Sequence, residues 1–100
     1  MAKTSKGVKQ RVRINIGKPS FYCIEFINDD VTTQEFVIDV LKKYFCLDDN
    51  SAYNTMLKIH NQGSALVGTL SHDLAYSIKT HIDLDALNAG FPLVTHIKEV

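Results

Sequence analysis

Asn28-Asp29-Asp30 places an amide and two carboxylates side by side, straight after the apolar run 21–27 and just ahead of a helical pattern. Acceptors at such a corner can fold onto their own backbone as an Asx-turn, or they can hold a cation. A calcium loop needs alternating acidic ligands and a glycine, and that pattern is absent. Asp29 and Asp30 make a poor acid/base pair, because neighbours in an extended segment point opposite ways. His60 with Asp30 and a serine could mimic a triad, but no nucleophile elbow accompanies them. His60, His72, His81 and His96 sit on different elements without metal-ligand spacing, so no metal is expected. There is no phosphate-binding glycine loop, and no cofactor is implied.

Met56, Ile59 and His60 fall at i, i+3 and i+4 and share one helix face. Two readings stay open for them. They form a core stripe with a satisfied histidine, or an apolar pocket with one polar tip.

The elements that must position these groups follow from periodicity. "FYCIEFI", 21–27, is aromatic and β-branched and reads as a strand. Thr32 to Glu35 has capping-box spacing and opens a helix whose apolar face is Phe36, Val37, Val40, Leu41 and Phe45. "LDDN", 47–50, breaks it and caps a second helix, which Gly63 stops. "SALVGTL", 64–70, is a strand whose Gly68 suggests a bulge or a close approach. Ser71 caps a third helix with Leu74, Ala75, Ile78, Ile82 and Leu87 on its apolar side, and Gly90 ends it. "FPLVTHIKEV", 91–100, is the closing strand. The order β-α-α-β-α-β predicts one small α+β domain, a mostly antiparallel three-stranded sheet with three helices on one face.

With 100 residues, 45% of them hydrophobic, one domain with its own core is expected over 21–100. Residues 1–18 carry six basic residues and no acid, whereas 19–100 carry five basic and eleven acidic ones. A flexible basic arm over 1–20 is expected ahead of an acidic body. A nucleic-acid or ribosome-associated domain that binds through the arm is a rival reading, but the acidic body would repel phosphate. No apolar run approaches the ~20 residues of a membrane span, and no signal-peptide pattern is present. Cys23 and Cys46 lack paired spacing and read as reduced packing residues of a cytosolic protein; a monomer is expected.

Taken together, "NDD", "T-x-x-EFVIDVL", "ML-x-IH-x-QG-x-A", the glycine of the second strand and the late "PL" resemble the ClpS family of Clp protease adaptors over residues 20–100. The resemblance implies a non-enzymatic adaptor in a bacterial cytoplasm. Such an adaptor binds the N-terminal residue of doomed proteins, the N-degron, and delivers them to a Clp ATPase–protease such as ClpA with ClpP. It implies that Asn28, Asp30 and His60 bind the α-amine, with Asp29 supporting the turn. It implies an apolar pocket of Phe26, Thr32, Gln34, Val37, Met56, Ile59 and Leu93 for a Leu, Phe, Tyr or Trp side chain. Asp73, Tyr76 and Ile78 match the surface that meets the N-terminal domain of a ClpA-like or ClpC-like ATPase.

The chain departs from the family pattern in places. Gln34 stands where many members have a gatekeeper methionine, so altered discrimination among first residues is expected. Val31 replaces a common tyrosine and Thr33 a common proline. "DLAYSI", 73–78, replaces "EVAETK" on the docking helix, which leaves the match to the ATPase open. A relative that docks on the ATPase but binds few or no N-degrons is the alternative reading.

Overall fold

A computed structural model describes residues 20–100. The order is β1 Tyr22–Ile27, α1 Gln34–Phe45, α2 Asp49–Gln62, β2 Ser64–Leu70, α3 His72–Ala89 and β3 Val94–Glu99. The expected β-α-α-β-α-β order is what the chain adopts. β1 is the central strand of a sheet ordered β2-β1-β3, and both its pairings are antiparallel. The expectation of a flexible arm over 1–20 lies, but for Ser20, outside the described residues.

Alternation along β1 sets the core. Ile24 and Phe26 face the helices and are fully buried, paired with Val67 and Ala65 on one side and Ile97 and Thr95 on the other. Leu41 and Ile82 are buried as completely from the helix side. Each such side chain stabilises the fold by about 1.5–3 kcal/mol.

Gly68 is the bulge. The register slips between Tyr22↔Leu70 and Ile24↔Val67, and Gly68 has φ +86°. A Cβ there would lie 2.9 Å from the Phe45 ring, which itself packs edge-on against Phe26 with centroids 6.0 Å apart. Gly68 therefore serves both the turn of the strand and the close seat of α1's last aromatic.

The structure corrects four local expectations. The N-cap of α1 is Thr33, whose hydroxyl accepts from the Phe36 N–H at 3.1 Å, and not Thr32. Thr32 is taken instead by Asp29, described below. On α3 the buried line is Ala75, Ile78, Ile82 and Ala86, while Leu74 and Leu87 are 49% and 72% exposed. One residue off that line turns ~100° away from the sheet. The closing strand begins at Val94, not Phe91. The Phe91 N–H is bound to the Ala86 carbonyl as part of the α3 cap, and its ring packs on Phe36 at 5.1 Å. Cys23 is buried, but Cys46 is exposed and caps α1 at φ +57°, so it is not a packing residue.

Candidate functional site

β1 ends at Ile27, but its ladder with β2 runs one step further: the Asn28 N–H donates to the Gly63 carbonyl at 2.9 Å. Gly63 is the left-handed cap of α2, closed by its own N–H to the Ile59 carbonyl. This bond ties the start of the Asn28–Asp30 loop to the C-terminal turn of α2, which carries His60. Two residues 35 apart in sequence are thus joined by backbone pairing.

Asp29 braces the loop from within. Its Oδ1 accepts from the N–H groups of Val31 (2.8 Å) and Thr32 (2.6 Å), and its Oδ2 accepts from the Thr32 hydroxyl (2.7 Å). Burial works to raise the Asp29 pKa, but the three bonds from Thr32 and Val31 outweigh it and hold the carboxyl below its ordinary value. Asp29 is therefore anionic and already committed to the loop. Thr33 then starts α1, which presents Gln34 and, one turn in, Val37.

The result is a cavity of about 330 Å³ lined by Asn28 to Gln34, Val37, Met56, Ile59 and His60. Its floor is apolar and rigid: Val37, Met56 and Ile59 are buried, from two packed helices. Its rim is polar, with Asp30, Thr33, Gln34 and His60 all exposed. A smaller void that shares Val37 and Ile59 with it is lined also by Leu93. Such a site offers an apolar side chain a dry seat and a charged or polar head group several oxygens at the mouth.

The predicted residues do not all reach the cavity. Asn28, Asp29, Asp30, Thr32, Gln34, Val37, Met56, Ile59 and His60 line it. Phe26 does not: it is fully buried in the core cluster that also holds Val37, Met56 and Ile59. Leu93 lies in the adjoining void. Sequence reasoning missed Val31 and Thr33 as lining residues, and their position inside the braced loop was the available signal. On α3, Asp73 and Tyr76 are exposed, but Ile78 is buried against the sheet and offers nothing to a docking partner. Among the described residues, no three His, Cys, Asp or Glu side chains gather as a metal site. No described helix is long and apolar enough to cross a membrane.

The comparisons with known proteins agree with this architecture. The profile of the family described as ATP-dependent Clp protease adaptor protein ClpS matches residues 17–96. The Clp protease adapter ClpS of Sodalis glossinidius is 35% identical over 91% of this chain and 86% of its own. That of Erwinia tasmaniensis is 36% identical over 89% and 84%. Among solved structures, Agrobacterium tumefaciens ClpS2 bound to L-phenylalaninamide superposes with a TM-score of 0.78 and 31% identity, covering 83% of this chain and all of that one. The fold and the comparisons thus define a small protease-adaptor domain. The chain belongs to the ClpS family of Clp protease adaptors.

Proposed function

We propose that the cavity binds the free N-terminal residue of a protein and that this chain delivers the bound protein to a Clp ATPase–protease. The observation that carries the reading is the pairing of a buried floor, Val37, Met56 and Ile59, with a rim on which Asn28 and Asp30 meet His60. An α-amine has a pKa of about 8 and is charged at neutral pH. Seating it requires oxygen acceptors and a compensating negative charge. Asn28 and Asp30 supply these, and His60 orients the first peptide unit. Asp29 keeps the loop in shape rather than touching the amine.

The floor takes a Leu, Phe, Tyr or Trp side chain, a contact worth about 1.5–3 kcal/mol. The ligand named for the Agrobacterium relative, L-phenylalaninamide, has this chemistry: a free amine, an apolar ring and a neutral amide in place of the following peptide bond. An internal or acetylated residue brings no cation and leaves the rim's acceptors unpaired, so it is rejected.

Asp73 and Tyr76, exposed on the first turns of α3, are the proposed contact with the N-terminal domain of the ATPase. The chain works as an adaptor without chemistry of its own, in a bacterial cytoplasm. The test is a degradation assay with a purified Clp ATPase–protease and a reporter that starts with phenylalanine. This chain accelerates loss of the free-amine reporter and not of the acetylated one. Equal rates for the two reporters contradict the reading.

A further inference from the structure

The side of the sheet furthest from β2 is built differently from its other edge. β3 pairs with β1 in unbroken register from Val94 to Glu99, whereas β2 is interrupted at the Gly68 bulge. A bulge disrupts an edge as a template for further pairing. β3 has neither bulge nor proline within it, and among the described residues no strand lies beyond it.

The phase of its ladder can be read. The Val100 N–H donates to the Phe21 carbonyl at 2.8 Å, so Phe21 and Val100 form a hydrogen-bonded pair one step past Tyr22↔Glu99. Such pairs alternate in an antiparallel ladder. Val94, His96 and Lys98 therefore spend their backbone groups on β1. Thr95, Ile97 and Glu99 turn theirs outward. The Asn28–Gly63 bond fixes the same phase independently, since it assigns Ile24 and Phe26 to β2 and leaves Cys23, Glu25 and Ile27 for β3.

A groove of about 320 Å³ runs beside this edge, between Tyr76, Lys79, Thr80 and Asp83 of α3 and His96 and Ile97 of β3. Its two charges cancel: Lys79 Nζ sits 2.5 Å from Asp83 Oδ2, and Asp83 Oδ1 accepts from the hydroxyl of buried Thr95. The groove suits a neutral side chain. By strand alternation the side chains of Val94, His96 and Lys98 turn to the other face of β3 from Thr95 and Ile97, with His96 also bordering the groove at its rim. Lys98 is 53% exposed and, among the described residues, pairs loosely with Glu25 at 3.8 Å, so it can still attract an acid.

We propose that the edge of β3 that no described strand covers is a second binding site, for an extended segment of a partner protein that alternates neutral and acidic residues and adds to the sheet as a fourth strand. Thr95, Ile97 and Glu99 give it backbone hydrogen bonds. Its neutral side chains enter the α3 groove, and its acidic ones lie beside His96 and Lys98. This is β-strand addition, where the backbone supplies affinity and alternate side chains supply specificity. A second copy fits less well, because antiparallel self-pairing about Ile97 sets Lys98 opposite His96 of the other copy and gives it no acid. The site is separate from the amine pocket and does not depend on it.

The test titrates the ¹⁵N-labelled full chain with an acetylated, amidated hexapeptide alternating valine and glutamate. The acetyl group keeps it out of the amine pocket. Amide shifts are expected at Thr95, Ile97 and Glu99 and on Tyr76 and Thr80, with the valine–lysine peptide binding more weakly. Glu99→Pro removes an outward donor without taking a bond from the fold, and lowers affinity about three- to tenfold. Lys98→Glu lowers it for the glutamate peptide only. The proposal is overturned by shifts confined to Asn28–His60, by no shifts at millimolar peptide, or by equal binding of the lysine peptide. It is also overturned if the three amides are exchange-protected before peptide is added, which would assign the edge to the chain's own N-terminal residues. Shifts that follow protein concentration alone would assign it to a second copy.

Discussion

Asp29 grips Thr32 twice, accepting its N–H at Oδ1 (2.6 Å) and its hydroxyl at Oδ2 (2.7 Å). The grip holds the strand-to-helix corner in one shape, so that its neighbour Asp30 is free to face the cavity mouth. Removing a carboxylate that organises three bonds loosens the loop without touching the amine acceptors. Asp29→Ala is expected to weaken binding of a free-amine phenylalanine peptide about tenfold. Fluorescence anisotropy measures this, and Asp29→Asn, which keeps one acceptor, recovers part of the loss.

The same brace sets a pH dependence. Asp29 is held below its ordinary carboxylate value despite burial, by Thr32 and Val31. Asp85 is held low by the Tyr44 hydroxyl, against burial, with help from Lys43. A folded-state pKa below the unfolded one gives stability that is fully present above the unfolded value, about 4, and lost as pH falls through the folded one. Urea unfolding should therefore show a midpoint that does not change with these groups above pH 5 and declines below pH 4. Tyr44 Oη meets Asp85 Oδ2 at 2.5 Å and ties α1 to α3. Tyr44→Phe should cost about 1 kcal/mol at pH 7 and flatten the acid limb of the curve.

Gly68 combines a left-handed φ with the Phe45 ring. Gly68→Ala meets both strain and clash, and should destabilise the fold by about 1–3 kcal/mol in urea titration. Adding Phe45→Leu relieves the clash but not the φ, so the double variant should recover only part of the loss.

Gln34 lies exposed on the cavity rim, above the buried floor. A polar amide there gives a first side chain less apolar cover than a thioether would. Gln34→Met is expected to raise affinity for leucine- and phenylalanine-initiated peptides about two- to fivefold. An anisotropy panel of first residues in wild type and variant reads the change in ranking.

Periodicity made most of the fold legible. The alternation of 21–27, the helical spacing of Val37, Val40 and Leu41, and the glycines at 63, 68 and 90 each specify a local geometry that the structure adopts. What it hid depended on competition between neighbours. Thr32 and Thr33 are equivalent as caps until Asp29 claims one of them. Leu74 and Leu87 outrank alanine on any hydrophobic scale, yet α3 lies on the sheet through Ala75 and Ala86. Nothing in the pattern says which side of a helix with apolar residues all round will face in. The site was the least legible part from spacing alone. Its residues come from a loop, an N-terminal turn and a C-terminal turn, and only the resemblance to a family joined them. Even that carried over Ile78, which this chain buries, and Phe26, which is buried in the core and does not line the cavity.

The central claim is that the rim recognises a free α-amine. Its most direct test is anisotropy with a labelled decapeptide that begins with phenylalanine, free or acetylated, against wild type and Asp30→Ala. The account predicts binding of the free peptide to wild type, and its loss both on acetylation and in the variant, with the fold intact by circular dichroism. Equal binding of the acetylated peptide, or full binding to Asp30→Ala, would contradict it.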